Sequence, residues 1–218
     1  MTPRLALVTG ASRGLGAAFA EQLALQGWHV MAVARTSGGL EDLDDRVKAH
    51  KLPGAGALTL APMDVTNEDA MRHLCLSIHQ RWGGLQLWVH AAIHAAPLGP
   101  AGSLDGKDWD KSIATNIRAT GLLIPLVEPL LKAGQGTAVF FDDPRAGQKF
   151  FGGYGASKSA QIALAQSWQA ETATIGPRVL ILTPLPLATA TRARFFPGED
   201  RSPLAVPRDE AARLIAHL

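Results

Sequence analysis

The chain has 218 residues, a net charge of +2 and an apolar fraction of 47%. This length suits one domain with a sizeable core, so we expect a single domain over residues 1–218. The near-neutral charge and the lack of a basic run do not favour nucleic acid or a membrane surface as partners. No apolar stretch reaches the roughly 18 residues that cross a bilayer, the first residues do not resemble a signal peptide, and Cys75 is the single cysteine. These features predict a cytoplasmic protein without an internal disulfide.

Apolar runs separated by glycine and proline divide the chain into alternating strands and helices. Six strands are predicted at residues 5–8, 28–34, 57–61, 85–92, 137–141 and 178–183. Helices are predicted at residues 17–26, 40–50, 108–132 and 153–175, from residue 66 or 67 to 81, and from near Arg208 onward. Pro125 and Pro129 are expected to kink or shorten the helix at 108–132. The alternation predicts an α/β fold, a doubly wound parallel sheet of the Rossmann type in a three-layer sandwich.

The first strand leads into a glycine-rich turn, Thr9-Gly10-Ala11-Ser12-Arg13-Gly14-Leu15-Gly16, and then into a helix. Such a turn presents unpaired backbone N–H groups at the positive end of a helix, which suits a phosphate. The residues expected at the phosphates are Gly10, Ser12, Arg13, Gly14, Leu15 and Gly16. Their G-x-x-x-G-x-G spacing differs from the common G-x-G-x-x-G of dinucleotide-binding turns. The same stretch also matches G-x-S-x-G, the elbow of serine hydrolases, so hydrolysis stays an alternative.

The end of the second strand indicates which dinucleotide is preferred. A site that binds a free ribose 2′-hydroxyl is expected to carry an acid there. This chain has Ala34 instead, followed by Arg35 and Thr36, and Arg13 lies in the glycine turn. Two guanidinium groups and a hydroxyl suit a 2′-phosphate, so the pattern predicts NADP(H) rather than NAD(H).

Four features occur in a fixed order along the chain: the glycine turn, Asp64-Val65, Asn116, and Tyr154-x-x-x-Lys158. With this order on a strand–helix alternation, the sequence resembles the short-chain dehydrogenase/reductase family over almost its whole length. Residues 189–200 are also similar to a bacterial subgroup of uncharacterised oxidoreductases typified by YciK.

The resemblance implies an active site around Tyr154 and Lys158, which a spacing of four puts on one helix face. In the family the tyrosine protonates a carbonyl oxygen while the nicotinamide delivers a hydride to the carbon. The lysine is expected to lower the pKa of the phenol and to hold the nicotinamide ribose, and Asn116 is expected to support a proton relay. Further residues that the resemblance puts at the cofactor are Asp64, Val65, His90, Ala91, Pro184 and Thr189.

The family's serine at the end of the fifth strand is absent. Aligning the apolar run of that strand puts Asp142 or Asp143 in its place, and we take Asp142 as the candidate catalytic residue. Counting back from Tyr154 without a gap gives Phe141 instead. An ionised aspartate there is expected to raise the pKa of the tyrosine, whereas a protonated one in a dry pocket would donate a hydrogen bond.

Two other family motifs also differ. The family's Asn-Asn-Ala-Gly is replaced by His90-Ala91-Ala92-Ile93, and its Pro-Gly after the sixth strand by Pro184-Leu185, where a bulky residue resists positive φ. The seventh strand that the family usually has is not expected in this sequence. His90 and His94 form H-x-x-x-H without the glutamate of a zinc helix, so no metal site is expected.

The sequence therefore predicts an NADP(H)-dependent oxidoreductase that interconverts a carbonyl and an alcohol, with a small molecule as substrate. Residues 189–207 are expected beside the pocket, where Phe195 and Phe196 line an apolar site and nearby arginines either meet an anionic group or stay solvated. A homodimer through the long helices around Asn116 and Tyr154 is compatible with the resemblance. The alternative function is an NADP(H)-binding sensor or interaction protein with little catalysis, which the three departures favour.

Overall fold

Six parallel strands form a single sheet in the computed structural model of the protein, which describes residues 4–218. The strands are β1 Leu5–Thr9, β2 His29–Ala34, β3 Leu58–Pro62, β4 Leu87–His90, β5 Thr137–Phe141 and β6 Arg178–Leu182. Their order across the sheet is β3-β2-β1-β4-β5-β6. The predicted doubly wound parallel sheet is confirmed, with six strands in residues 4–218.

Eight α-helices flank the sheet in the described part of the chain. They are α1 Gly14–Leu25, α2 Ser37–Ala49, α3 Glu68–Trp82, α4 Gly106–Ser112, α5 Ala119–Gly134, α6 Gly152–Thr172, α7 Ala190–Phe195 and α8 Pro207–Ile215. A π-helical segment, Ile113–Arg118, joins α4 to α5. Of Thr66 and Asn67, the two residues at which the sequence predicted this helix to begin, Asn67 caps α3, because its Oδ1 accepts a hydrogen bond from the N–H of Ala70.

Pro125 and Pro129 were expected to kink or shorten their helix, and the shortening is not found, since α5 continues through both to Gly134. Both prolines are exposed, and so is Gly121, whose carbonyl lies one turn before Pro125. The carbonyls that lose an N–H partner therefore lie on the side of α5 that water reaches, where solvent satisfies them.

Alternate residues of each strand pack into the two helical layers. In β1, Leu5 and Leu7 pack in the core under α3, α5 and α6, whereas Ala6 and Val8 pack in the core under α1, α2 and α8. This alternation is the side-chain period of a strand that is buried on both faces.

The order of the strands reverses between β1 and β4, so their chain continuations diverge to opposite sides of the sheet. In doubly wound sheets this point leaves a crevice beyond the carboxyl ends of the strands. Here β1 ends at Thr9, which lies beside His90 at the end of β4. The N–H groups of Gly10 and Ala11 both donate to the carbonyl of Val33, which ties the glycine turn to the neighbouring β2.

Candidate active site

A cavity of about 900 Å³ opens at this edge of the sheet. That is within the range of about 300–1,000 Å³ that is usual for ligand sites. Of the residues proposed from the sequence, its wall contains Gly10, Ser12, Arg13, Gly14, Leu15, Gly16, Arg35, Asp64, Val65, His90, Ala91, Asp142, Tyr154, Lys158, Pro184 and Thr189. Thr36 and Asn116 do not line it.

The glycine turn has a geometry that only glycine permits. Gly10 has φ +82°, and a Cβ there would lie 2.6 Å from the backbone of Ala91. A Cβ on Gly16 would lie 2.3 Å from the carbonyl oxygen of Gly10. The turn therefore packs closely against β4 and delivers the N-terminus of α1, with its unpaired N–H groups, to the cavity. This is a cradle that fits the pyrophosphate of a dinucleotide.

The residues predicted to bind the adenosine end of the cofactor fall into two groups, because Arg13, Arg35 and Asp64 line the cavity and Thr36 does not. Arg13 and Arg35 are both exposed on the cavity wall. Thr36 precedes α2 without a side-chain capping bond and lies outside the wall. The Oδ1 of Asp64 accepts hydrogen bonds of 2.9 Å from both the N–H and the hydroxyl of Thr66, so this carboxylate also closes the turn after β3.

His90 lies in a fully buried chain of hydrogen bonds. Its Nδ1 is 2.8 Å from the hydroxyl of Thr9, and its Nε2 is 3.1 Å from the hydroxyl of Thr120. Thr120 donates its own proton to the carbonyl of Asn116, so it accepts from Nε2–H and the Nδ1 of His90 accepts from Thr9. Burial, and then the charge of Lys158, lower the pKa of His90 to about 3, which keeps the ring neutral.

Asn116 lies in the π-helical segment and is completely buried. Its side chain accepts a hydrogen bond from the N–H of His94 and donates to the carbonyl of His94 and to the hydroxyl of Ser157. Asn116 therefore fastens the loop after β4 to α6. Its backbone carbonyl accepts from Thr120.

Tyr154 contacts Asp143 rather than the candidate Asp142. The tyrosine is 5% exposed, and its hydroxyl donates to Oδ2 of Asp143 at 3.0 Å. Oδ1 of the same carboxylate accepts from Nε of Arg145 at 2.9 Å. Asp142 lines the cavity nearby, and its N–H donates to the carbonyl of Leu182.

This environment raises the pKa of Tyr154 far above that of a free phenol. Burial is the largest cause, followed by the charge of Asp143 and by its hydrogen bond. The expectation that Lys158 lowers the pKa of this tyrosine is therefore wrong for this structure, whereas the expected effect of an ionised aspartate is found.

Lys158 is 6% exposed and donates to Oε1 of Gln161 at 2.7 Å. Nε2 of Gln161 donates in turn to Thr120, which links the lysine to the His90 chain. Burial lowers the pKa of Lys158 to about 8, against the opposing charges of Asp142 and Asp143. The lysine is thus held by a neutral amide on its own helix, one turn away.

Helix α7 covers the tyrosine from the other side. The ring centroid of Phe195 is 4.8 Å from that of Tyr154, and Phe195 and Phe196 both line the cavity as predicted. The nearby arginines are engaged: Arg192 forms a bidentate pair with Glu199, and Arg194 donates to the carbonyl of Ala95. Arg201 is exposed and does not line the cavity.

The departure at Leu185 does not strain the backbone, because positive φ is not found at this residue. The N–H of Leu185 donates to Oε1 of Glu210, which is buried and paired with Arg213. The loop after β6 is thereby fixed to α8.

Several residues of the site were missed from the sequence alone. Gln161 accepts a hydrogen bond from Lys158, and Thr120 accepts one from His90. Arg145 donates a hydrogen bond to Asp143. Spacing offers a weak signal for two of them, since Gln161 is three residues after Lys158 and Thr120 four after Asn116. Arg145 lies in an aperiodic loop that carries no such signal.

Two negative findings apply to residues 4–218. No group of three or more histidine, cysteine or acidic side chains there is arranged to hold a metal ion. No helix in that range is long and apolar enough to cross a bilayer.

The fold and the cavity are those of a doubly wound α/β protein with a cradle that fits a dinucleotide, and comparison with known proteins narrows this class. A model of the family described as short chain dehydrogenase matches residues 4–200. An A-factor type gamma-butyrolactone 1'-reductase from Streptomyces virginiae is 30% identical over 188 residues, which cover 84% of this chain and 72% of the relative.

Solved structures agree with this. A protein from Shigella flexneri described as a short chain dehydrogenase and complexed with NADP has a TM-score of 0.84 and 26% identity, over 94% of this chain and 87% of the other. A metagenomic short-chain oxidoreductase in complex with NADP has a TM-score of 0.79 and 25% identity, over 98% and 90%.

The protein belongs to the short-chain dehydrogenase family. The relatives that it matches in this family are oxidoreductases. The family match includes the glycine turn, which favours a cofactor turn over the hydrolase elbow. The finer resemblance to the YciK-like subgroup stays a prediction.

Proposed function

We propose that the protein is an NADP(H)-dependent oxidoreductase that interconverts a carbonyl and an alcohol. The observation that carries this proposal is the cavity at the strand switch point, which joins a glycine cradle at one end to Tyr154 and Lys158 at the other. Binding a dinucleotide across this crevice is the general use of such a sheet.

The choice of NADP(H) rests on charge. Arg13 and Arg35 are exposed on the wall, and the last residue of β2, directly before Arg35, is Ala34 rather than an acid. Guanidinium groups bind a phosphate well, and the missing carboxylate removes both a ribose acceptor and a repulsive charge. The NADP complexes of two similar structures support the same choice.

At the end of the cavity where we expect the reaction, the wall combines the phenol of Tyr154, the ammonium of Lys158 and two carboxylates. When bound, the nicotinamide supplies or accepts a hydride. In this proposal Tyr154 holds the proton that the substrate oxygen gains or loses, and Lys158 binds the ribose after leaving Gln161. His90 and Asn116 stabilise the wall of the cavity, since both side chains are buried and fully hydrogen-bonded. Phe195 excludes water from the tyrosine.

A second candidate function is a dinucleotide-binding sensor with little catalysis. The bond from Tyr154 to Asp143 favours it, because the tyrosine proton is committed to a carboxylate and the pKa of the phenol is raised. The glycine cradle is independent of that bond, so binding is compatible with weak chemistry.

Cofactor choice is tested by isothermal titration of NADPH and NADH against the wild type, Arg13→Ala and Arg35→Ala. Each variant is expected to weaken NADPH binding by about tenfold or more and to leave NADH binding nearly unchanged, because only NADPH has the 2′-phosphate. Arg72→Ala, an exposed arginine on α3, is the control. Equal affinity of the wild type for both nucleotides would reject the NADP(H) preference.

Catalysis is tested by following NADPH oxidation with a panel of aldehydes, ketones and quinones. Turnover that is lost in Tyr154→Phe supports the enzyme. Binding of NADPH without turnover, together with a gain of activity in Asp142→Ser or Asp143→Ser, supports the sensor. Failure of both nucleotides to bind rejects both functions.

We also propose a homodimer through the helices around Asn116 and Tyr154, a single catalytic domain over residues 1–218, and a cytoplasmic location. Ile113 and Leu164 are exposed apolar residues on the segments concerned, which supports the dimer. Sedimentation of the wild type and of Leu164→Glu tests it, because a charge in that interface is expected to yield monomers.

A further inference from the structure

Asp143 gives the active site a carboxylate beside the tyrosine hydroxyl. The carboxylate is paired with Arg145, whose Nε lies 2.9 Å from Oδ1. An ionised carboxylate only accepts hydrogen bonds, and its two oxygens have about four lone-pair sites. Oδ2 accepts one hydrogen bond, from Tyr154, and because Asp143 lines the cavity it can accept a second one from a bound molecule.

A carboxylate that only accepts hydrogen bonds is poorly matched to a neutral ketone. A carbonyl oxygen also only accepts, so next to Oδ2 it meets lone pairs. To receive the tyrosine proton it must first break the 3.0 Å bond from Tyr154 to Asp143. Leaving that bond unmade in a buried site costs free energy.

A substrate that donates at the same position is well matched. A protonated imine carries an N–H on its polar double bond, and this group can donate to Oδ2 while the tyrosine bond stays intact. Its positive charge also meets Asp142, a second carboxylate of the wall, for whose side chain no ion pair is found in residues 4–218. Asp142 and Asp143 balance the charges of Arg145 and Lys158 in the same wall, so a bound cation does not enter a positively charged site.

The aromatic side chains around the tyrosine support a cation as well. Phe195 lines the cavity and packs on Tyr154, with the two ring centroids 4.8 Å apart. A delocalised cation is stabilised over such rings. A neutral ketone gains no comparable interaction.

We propose that this site reduces protonated C=N compounds, such as cyclic imines, in preference to ketones of the same shape. The inference rests on the proposed function, because NADPH is the hydride donor. Asp143 is the specificity-determining residue, since its carboxylate holds the N–H of the substrate.

The reaction balances without an acid from the protein. The imine carbon gains the hydride that NADPH supplies, and the cofactor leaves as NADP⁺. The two π electrons of the C=N bond become the lone pair of the nitrogen, which keeps its proton. The amine then takes up a proton from water and leaves as an ammonium ion. Tyr154 gives up no proton, in accord with its bond to Asp143.

The test begins with binding, which does not depend on turnover. With NADP⁺ present, the wild type is titrated with tetrahydroisoquinoline, a secondary ammonium, and with tetralol, an alcohol of similar shape. The ammonium is expected to bind about tenfold or more tightly, because it donates to an ionised carboxylate. Asp143→Asn and Asp143→Ser are expected to remove that advantage, and Asp110→Asn, an exposed aspartate on α4, to retain it.

Turnover is then compared within two pairs, dihydroisoquinoline with tetralone and pyrroline with cyclopentanone. The wild type is expected to favour the imine of each pair, and Asp143→Ser to shift the ratio toward the ketone by about tenfold or more. Equal binding of ammonium and alcohol, or an advantage that survives in Asp143→Asn, would overturn the inference while NADPH binding leaves the proposed function standing. Failure of NADPH to bind would overturn both.

Discussion

The hydroxyl of Tyr154 donates a 3.0 Å hydrogen bond to Oδ2 of Asp143. When ionised, this carboxylate only accepts hydrogen bonds. Together with burial, this contact makes the tyrosine a weaker acid, because it raises the pKa of the phenol.

Asp143→Asn is expected to lower the pKa of Tyr154 by about 1 to 3 pH units, because the variant removes a negative charge next to the phenol. Tyr154 is the only tyrosine in the chain, so tyrosinate absorbance reports on this residue alone. Circular dichroism, recorded at each pH, confirms that the protein is folded. Asp110→Asn serves as the control, and equal titration of Asp143→Asn and wild type would contradict the assigned cause.

His90 makes the free energy of unfolding depend on pH in the acidic range. Its pKa is lowered from 6.5 to about 3 in the folded protein, so the unfolded chain binds more protons between these values. Stability from this residue is therefore complete above pH 6.5 and is lost as the pH falls toward 3.

His90→Asn removes this titration and keeps a polar side chain between Thr9 and Thr120. The wild type is expected to lose about 2 kcal/mol more unfolding free energy than the variant between pH 6.5 and about 4.5. Urea unfolding at several pH values measures the difference. His73→Asn, an exposed histidine on α3, is the control, and parallel pH profiles of wild type and His90→Asn would exclude a buried neutral imidazole.

Parts of the fold were predictable because their signals lie in short stretches of the chain. β5 was predicted at residues 137–141 and is found there, since an apolar run between a glycine and two aspartates leaves one choice. The glycine turn was predictable for a similar reason, because close backbone packing requires glycine at fixed positions. Both are properties of the local chain.

The reacting centre was less predictable, because it depends on contacts between elements. The choice among Phe141, Asp142 and Asp143 depends on the path of the loop between β5 and α6, and no pattern in that loop specifies it. Spacing puts Lys158 on the same helix face as Tyr154, yet its ammonium bonds to Gln161. The pKa of the tyrosine was then set by burial and by Asp143, which spacing along one helix does not include.

Gln161→Leu tests how the buried lysine is held. The variant removes the acceptor 2.7 Å from Nζ of Lys158 and leaves a buried ammonium without this partner. Unfolding free energy is expected to fall by about 1.5 to 3 kcal/mol, the usual range for a hydrogen bond to a charged group. Gln161→Glu keeps an acceptor and is expected to lose less. Gln80→Leu, on the exposed face of α3, controls for the change of side chain. If Gln161→Leu and Gln80→Leu unfold at the same urea concentration, Gln161 does not stabilise the lysine.

Gly16→Ala tests the cradle itself. The new Cβ would lie 2.3 Å from the carbonyl oxygen of Gly10 and 3.0 Å from the Cβ of Ala91, so the turn must move away from β4. Such overpacking is expected to cost roughly 1 to 3 kcal/mol or more of unfolding free energy and to weaken NADPH binding, because the N–H groups at the start of α1 shift with the turn. Gly38→Ala is the matched control: no atom lies within 4 Å of its added Cβ, and alanine favours a helix. Urea unfolding and NADPH titration of both variants measure the two effects. Loss of binding in Gly38→Ala, or unchanged binding in Gly16→Ala, would show that the close approach of Gly16 to Gly10 is not what shapes the phosphate site.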